Sequence, residues 1–515
     1  MDEPSATARV RVAEGRGWRE IPYGVLRDRV VAAGRRFAGA GAGPGTVVSI
    51  VRPVVDEFLV DFFGALLAGA TPNPLPPPLP LQRADAYVER TAALFGVARP
   101  GLVSTTPDLA DLLRPVAAGA VFVDPDGPTA NTPGCAADSI GLLQFTSGSS
   151  GTPKAVRVSV ANLAANIEAI RGWLDARATD RVATWLPPYH DMGLIGCLLA
   201  PTVLGLPIDA MTPLDFIQDP LRWLSCFGRG DATIAAAPNF ALSYLLAKVP
   251  AAALAGCDFG RWRCLIVGAE RIDPAVLRGL VERLGPFGFD ERALCPAYGL
   301  AEATLAVTGV RPGERVRCLP EGGAPVDLLD AALDDGRSWL VSCGRALDGV
   351  AVTGNPEIVV RAPSVAVGYQ TVHGPMSLRC NESGALATGD AGVIVDGELY
   401  PIGRLGDAIK VRAVTIFAED IELAVAAGCA LGANRVAAVA GNDGAATEVG
   451  LLVERPVVDA ERVRAIVRRC AGADVPVRVF AVARGTIERT TSGKSRRRIM
   501  WARLRAGDFD QFEVS

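Results

Sequence analysis

The chain has 515 residues, half of them hydrophobic and about a fifth charged, with a net charge of −4. That length is too great for one core and predicts two or more domains of globular composition. No Lys/Arg cluster is interleaved with aromatic residues, which argues against nucleic acid as a partner. No run of about 18 apolar residues predicts a membrane span, and Met1 to Gly15 lacks the apolar segment of a signal peptide.

The eleven cysteines form no C-x-x-C pair. An odd count without such pairs predicts buried free thiols and a reducing cytoplasm. Only two histidines, His190 and His373, are present, which disfavours a zinc site or a Ser-His-Asp triad. Chemistry is expected to fall to Lys, Glu, Asp, backbone amides and a bound cation.

The elements, in chain order, alternate. Helices are predicted over Tyr23 to Phe37 and Val55 to Leu67, and strands over Val47 to Val51 and Leu102 to Ser104. Pro72 to Pro80 holds six prolines and is expected to be an extended surface connector rather than an element. Leu142 to Phe145 reads as the end of a buried strand, and Asn162 to Trp173 as a helix. Further strands are expected at Arg181–Trp185, Thr233–Ala236 and Cys264–Val267. Strands alternating with helices predict largely parallel sheets. From Ser338 the pattern changes to short, glycine-separated runs that suggest antiparallel pairing: Trp339–Val341, Glu357–Val360, Gly392–Val395 and Leu399–Ile402. Gly403-Arg404-Leu405-Gly406-Asp407 then interrupts. A tail of roughly 110 residues follows, with helices at Ala418–Ala427 and Ala460–Cys470 and strands at Arg435–Ala440 and Val449–Val453. It is long enough for a small domain. The basic run Arg496-Arg497-Arg498 is read as a solvated helix start.

Between the strand at Leu142 and the helix at Asn162 lies Thr146-Ser147-Gly148-Ser149-Ser150-Gly151-Thr152-Pro153-Lys154. Glycines let backbone N–H groups approach a ligand, hydroxyls donate to phosphate oxygens, and the lysine adds a point charge. The stretch predicts a polyphosphate cradle. It is not a Walker loop, which needs four residues between its glycines and Lys-Ser/Thr directly after the second.

Five further clusters stand out. Trp185 to Gly193 is an aromatic-rich turn that includes His190. Gly268-Ala269-Glu270 closes a buried strand, where ligand crevices of open sheets lie. Tyr298-Gly299-Leu300-Ala301-Glu302 offers an aromatic face and a carboxylate suited to Mg²⁺ beside phosphates. Thr388-Gly389-Asp390 places an acid after a short loop, suited to ribose hydroxyls. Thr490-Thr491-Ser492-Gly493-Lys494 presents a lysine from a flexible loop near the C-terminus.

In this order the clusters resemble the ANL superfamily of adenylating enzymes. The resemblance runs from Pro22-Tyr23-Gly24 to the Lys494 loop. It is nearest to the fatty acyl-AMP ligases through Leu186 to Gly196, Ala237-Pro238-Asn239-Phe240-Ala241, Tyr298 to Leu305 and Val341-Ser342-Cys343-Gly344-Arg345. The fold this implies is α/β. A large N-terminal domain of two mainly parallel sheets with helices plus a small antiparallel β subdomain, residues 1–406, would precede a small mobile α+β C-terminal domain, residues 407–515.

The resemblance implies that ATP and a carboxylic acid give acyl-AMP and pyrophosphate, with transfer of the acyl group to a thiol afterwards. Thr146, Ser147, Gly148, Ser149, Ser150, Gly151, Thr152 and Lys154 would bind the β- and γ-phosphates, with Thr304 a further candidate contact. Glu302 would hold Mg²⁺. Gly268, Ala269, Glu270 and Ala297 to Ala301 would form the nucleotide wall, with Ala269 and Tyr298 flanking adenine. Asp390 and Arg404 would bind the ribose. Lys494 would bridge the acyl carboxylate and the α-phosphate, and Asp407 matches the hinge. His190, Asn239, Phe240 and Gly299 would line the acyl pocket, His190 as a polar edge rather than a general base. Pocket depth is expected to depend on Cys197, Met211, Phe216 and Phe240.

The chain departs from the family at Pro356-Glu357-Ile358, where Gly-Glu-Ile is usual, at Arg412-Ala413, where Arg-Gly is usual, and at Ala418, where proline is usual. A methyl group at a positive-φ position costs roughly 1 kcal/mol or more, so Ala413 favours an adenylation-weighted enzyme over efficient CoA ligation. The expected acceptor is therefore the phosphopantetheine of an acyl carrier protein in bacterial lipid or polyketide biosynthesis. The alternatives are an acyl-CoA synthetase that completes both half-reactions with CoA, and a non-adenylating relative that only binds nucleotide or processes acyl-AMP.

Overall fold

The computed structural model describes residues 8–78, 82–117, 119–146, 153–333, 337–411, 414–429, 431–432, 435–442, 447–455, 459–471, 475–489 and 495–514. Its largest sheet has nine strands. Six of them run parallel in the spatial order Leu294–Gly299, Cys264–Val267, Ile234–Ala237, Val182–Thr184, Ile208–Ala210, Arg9–Glu14. Antiparallel strands close both edges: Gly17–Pro22 at one, Ala306–Gly309 and Arg345–Ala346 at the other. The central strands are buried apolar runs, as parallel strands covered on both faces must be. Around them pack the stacked pairs Trp185–Phe216 and Phe227–Trp262.

A second, all-parallel sheet is built from Thr71–Pro74, Val47–Val51, Leu102–Thr105 and Val121–Phe122. Here the proline-rich stretch departs from expectation, because Thr71–Pro74 is a buried edge strand. The amides of Thr71 and Leu75 donate inward to Thr46 and Ile50, while Pro72 and Pro74 occupy the alternate positions. Proline is tolerated on an edge strand whose missing N–H faces away from the ladder.

Three antiparallel sheets complete the N-terminal part. One contains Ile140–Thr146, Lys154–Ser159, Gly368–Thr371 and Gly374–Met376; a second contains Ala351–Gly354, Glu357–Arg361, Leu386–Val395 and Glu398–Arg404; the third has Arg317–Pro320 between Val326–Asp327 and Trp339–Val341. The segment from Thr146 to Lys154 therefore connects two strands of a hairpin, with Thr146 and Lys154 as register partners. The helix Val160–Leu174 begins only after the second strand, behind a Ser159–Asn162 capping box. Asp390 and Arg404 lie inside longer strands than expected. A bulge between Ala391 and Gly392 had split the alternation that would reveal them.

Beyond Leu405, the helices Ala418–Gly428 and Ala460–Ala471 cover a sheet of Val436–Asn442, Thr447–Val453 and Val477–Ala481. The buried apolar clusters of this unit contain only residues from Ile416 onward. Among the described residues no helix is long and apolar enough to cross a membrane.

Candidate active site

The parallel strands Ile234–Ala237, Cys264–Val267 and Leu294–Gly299 end side by side, and a cleft of about 770 Å³ opens at their carboxyl ends. This is where open α/β sheets bind ligands. Glycine makes the close passages possible. A Cβ at Gly299 would stand 2.0 Å from the Leu305 carbonyl oxygen, and one at Gly268 would stand 2.8 Å from that of Ala297. Ala269 adopts φ +69, a left-handed conformation that costs a non-glycine residue of order 1 kcal/mol and concentrates at ligand sites.

The expected residues that are described converge on this cleft. Thr146, Lys154, His190, Asn239, Phe240, Gly268, Ala269, Glu270, Ala297 to Glu302, Asp390 and Arg404 all line it. Ser147, Gly148, Ser149, Ser150, Gly151, Thr152, Lys494 and Arg412-Ala413 lie outside the described residues. The backbone of Asp407 sits in a single turn, Leu405–Asp407, directly after the strand that ends at Arg404. Thr304 is fully buried with its hydroxyl committed to the Ser364 carbonyl at 2.6 Å, so Thr146 is on the cleft wall and Thr304 is not.

Asp390 is held from three directions. Its amide donates to the Thr388 hydroxyl at 3.1 Å, Tyr298 Oη donates to its Oδ2 at 2.8 Å, and Arg404 Nε lies 3.1 Å from its Oδ1. Burial, and then the neighbouring Asp390 carboxylate, hold the Tyr298 phenol well above its ordinary pKa. It stays a neutral donor. Asp390 Oδ1 is buried and accepts no hydrogen bond among the described residues. A buried carboxylate oxygen in that state fits a ligand hydroxyl.

Glu302 accepts from Tyr369 Oη at 2.7 Å. Lys154 Nζ lies 3.7 Å from the centroid of the same tyrosine ring. Burial lowers the Lys154 pKa, Glu302 opposes that shift, and Arg404 adds to it. A lysine, a carboxylate and the Thr146 hydroxyl therefore stand at the mouth of the loop segment.

On the opposite wall, Glu270 Oε1 accepts the Phe240 amide at 2.6 Å and Asn239 Oδ1 accepts the Asp273 amide at 3.1 Å. Behind them Trp185 stacks on Phe216 at 4.1 Å and meets Phe240 edge-on. His190 Nδ1 lies 2.8 Å from Asp191 Oδ1, ahead of the π-helical turn Met192–Leu199. Of the side chains expected to set pocket depth, Phe240 lines the cleft, whereas Cys197, Met211 and Phe216 are buried behind it.

The sequence missed several residues in or against the cleft. Tyr369, which backs the cleft residues Glu302 and Lys154, carries no motif beyond Gly368-Tyr369 and reaches Glu302 only because its strand pairs with Lys154–Ser159. The Arg496-Arg497-Arg498 run does begin a helix, Arg497–Arg505, and Arg496 and Arg498 are exposed as expected, but Arg497 is not. All three arginines line the cleft, and Arg497, its side chain 13% exposed, is held between Glu419 Oε1 at 2.8 Å and Glu422 Oε2 at 2.9 Å. Those glutamates come from a helix some 75 residues earlier, a pairing that no local pattern records.

This fold and cleft define a nucleotide-dependent, acid-activating enzyme, and comparison with known proteins agrees. Residues 2–370 match the AMP-binding enzyme family. The medium-chain-fatty-acid–acyl-carrier-protein ligase JamA of Moorena producens is 30% identical over 517 residues, covering 89% of this chain and 85% of JamA. The long-chain-fatty-acid–AMP ligase FadD26 of Mycobacterium marinum is also 30% identical, covering 92% of this chain and 89% of FadD26. A structure from the fatty acyl-adenylate ligases of E. coli and L. pneumophila superposes with a TM-score of 0.84 at 25% identity, over 98% of this chain and 99% of that one. The chain belongs to the AMP-binding enzyme family, within the ANL superfamily, and closely resembles the fatty acyl-AMP ligases. It is an acid-adenylating ligase whose activity is the ATP-dependent adenylation of a carboxylic acid.

Proposed function

We propose that this enzyme activates a fatty or related carboxylic acid as acyl-AMP and transfers the acyl group to the phosphopantetheine thiol of an acyl carrier protein. The observation that carries the reading is the collection, in one cleft, of Lys154 and Thr146, Glu302, and the Tyr298–Asp390–Arg404 cluster. The likeness to JamA supports a carrier-protein acceptor, as does Ala413 in place of the family's glycine.

In this reading Thr146 to Lys154 hold the β- and γ-phosphates, Ala269 and Tyr298 flank adenine, and Asp390 and Arg404 hold the ribose. Gly268, Glu270, Ala297, Gly299, Leu300 and Ala301 shape the nucleotide wall. Glu302, a hard oxygen donor oriented by Tyr369, would hold Mg²⁺. The ion would neutralise charge on the phosphates. His190, Asn239, Phe240 and Gly299 wall the acid. The substrate carboxylate is already ionised at neutral pH, so no general base is required. Its oxygen attacks the α-phosphorus, the bond to the bridging oxygen breaks, and pyrophosphate leaves with that electron pair. The protein contributes positioning and charge neutralisation, and Lys494 supplies the cation between carboxylate and α-phosphate. In the second step the thiol gives up its proton to solvent, its sulfur attacks the acyl carbon, the acyl C–O bond to the phosphate breaks, and AMP leaves with that electron pair.

We place the domain boundary between residues 406 and 407, with Asp407 as the hinge that turns the C-terminal unit between the two steps. The test is pyrophosphate release with ATP, Mg²⁺ and a panel of acids, followed by mass spectrometry of products with a holo carrier protein and with CoA. Acyl-carrier thioester is expected. Rapid CoA thioester formation without carrier loading would reverse the choice of acceptor, and absence of pyrophosphate with every acid would defeat the reading.

A further inference from the structure

Arg271 follows directly on the Gly268–Glu270 wall. Its side chain is 11% exposed and bonds two distant parts of the chain. Nη1 donates to the Ile402 carbonyl at 2.8 Å and lies 2.6 Å from Asp420 Oδ1. Ile402 belongs to the strand that ends at Arg404. Asp420 sits in the first turn of the helix Ala418–Gly428, whose apolar face belongs to the C-terminal core. One guanidinium thus joins the cleft wall to the C-terminal unit.

A second contact beside it has no slack. The Phe417 ring lies over Gly403, where a Cβ would come within 2.8 Å of the ring and 3.2 Å of Glu419 Oε2. From there the contacts continue within the C-terminal unit. Glu419 and Glu422 grip Arg497. Two residues before it, the Ser495 hydroxyl accepts from Arg489 Nη1 at 3.2 Å, and Arg489 and Ser495 are also bridged through their backbones. These two residues flank the segment that contains Lys494, and both line the cleft.

A partly buried Arg–Asp pair such as this is a poor source of net stability, because desolvation offsets much of the attraction. A unit with its own core, attached through an ion pair and a ring over a glycine, gains orientation from such contacts instead. We propose that Arg271 is a positioning residue for the adenylation half-reaction: its pairing with Asp420 latches the C-terminal unit in the arrangement that holds Arg489 and Ser495, which flank Lys494 in the sequence, on the cleft wall. The latch must open before the thiol step. This rests on the two-step reading above.

The test separates the half-reactions in the full-length enzyme. Single-turnover pyrophosphate release reports the first; consumption of synthetic acyl-adenylate by free pantetheine reports the second. Arg271→Gln keeps a donor for Ile402, Asp420→Asn removes the partner charge, and Gly403→Ala wedges the interface without touching either. Each is expected to slow adenylation about tenfold with little change in the KM for ATP, and to leave the pantetheine step unchanged or faster. The first two should be non-additive when combined, and Arg271→Lys should recover part of the rate. Equal loss in both half-reactions, or undiminished adenylation, overturns the proposal. Hydrogen exchange supplies a readout that needs no acid: Arg271→Gln should speed exchange in the helix Ala418–Gly428 and the strand Glu398–Arg404 while the large sheet is unchanged. Unchanged exchange in both segments defeats the latch whatever the fate of the catalytic reading. A wild type that releases no pyrophosphate defeats that reading and leaves the exchange result to decide the latch.

Discussion

Asp390 and Arg404 stand opposite each other across two antiparallel strands, with Arg404 Nε 3.1 Å from Asp390 Oδ1. Tyr298 occupies the other carboxylate oxygen, which leaves Oδ1 buried without a hydrogen bond among the described residues. A ligand hydroxyl donating there recovers a charge-assisted bond, of order 1.5–3 kcal/mol. Asp390→Ala should therefore weaken ATP binding by about 10- to 100-fold, read by calorimetry. Tyr298→Phe should cost less, because it removes a bond that orients the carboxylate and leaves the carboxylate in place. Equal nucleotide affinity in wild type and Asp390→Ala would remove Asp390 from the site.

Lys494 is assigned by motif, and kinetics can test the role directly. A cation that acts on charge developing in the transition state should, when removed, lower kcat by about 10²–10³-fold with ATP binding nearly intact. Pyrophosphate release and ATP calorimetry on Lys494→Ala measure the two quantities separately. An unchanged adenylation rate would sink the assignment.

Tyr369 connects Glu302 to Lys154 through its hydroxyl and its ring face. If Glu302 holds Mg²⁺, Tyr369 is the partner that aims it, and loss of such partners typically costs about 10- to 100-fold in metal affinity. Tyr369→Phe should raise the Mg²⁺ concentration needed for half-maximal pyrophosphate release, and Glu302→Gln should raise it further. A Mg²⁺ titration that superposes on wild type for Glu302→Gln would move the metal elsewhere.

The alternation of short apolar runs with helices was legible in the sequence because each element carries its own period. The helix Val55–Leu67 and the strands Val47–Val51, Cys264–Val267 and Trp339–Val341 fall where that reading put them. Thr71–Pro74 was not legible, since edge position rather than composition permits its prolines. The cleft residues found from sequence sit in local motifs. The cleft residues Arg271 and Arg497, and Tyr369 behind Glu302, were missed because they act across long sequence separations: Arg497 reaches Glu419 over 78 residues, and Tyr369 reaches Glu302 over 67. Ala269 at φ +69 was invisible for another reason: alanine gives no sign of a left-handed backbone.

Two glycines near one another predict very different costs. Gly344 has φ +68, and a Cβ there would lie 2.0 Å from the Gly309 carbonyl carbon, against backbone that cannot yield. Gly349 has φ +76 with nothing within 4 Å. Gly349→Ala should cost only the conformational penalty, about 1 kcal/mol. Gly344→Ala adds a backbone clash and should cost about 3 kcal/mol or more. Urea unfolding of the N-terminal part should rank them in that order. Similar midpoints for the two variants would contradict the packing at Gly344.

Acid should unfold the chain partly through Asp180. Burial alone would raise its carboxyl pKa, but Arg263 Nε at 2.8 Å, the Arg177 amide at 2.8 Å and the Thr233 hydroxyl at 2.8 Å outweigh burial and hold it below 3.8. A group depressed in the folded state binds fewer protons there than in the unfolded chain, so stability rises with pH across its window. Its contribution is complete above the unfolded value, about 3.9, and is lost as pH falls through the lower folded value. Asp420 works in the opposite sense: burial raises its carboxyl despite Arg271, so its contribution is greatest at low pH and fades as pH rises. Arg263 also donates to the carbonyls of Leu174 and Asp175 at 2.8 and 3.0 Å, which fastens the end of helix Val160–Leu174 to the sheet. Asp180→Asn should lower stability near pH 7 by about 3 kcal/mol, the scale for breaking a buried pair, and should flatten the acid limb. Urea midpoints followed from pH 7 to pH 3 give both quantities. An acid limb equally steep in Asp180→Asn would assign the acid sensitivity to other carboxylates.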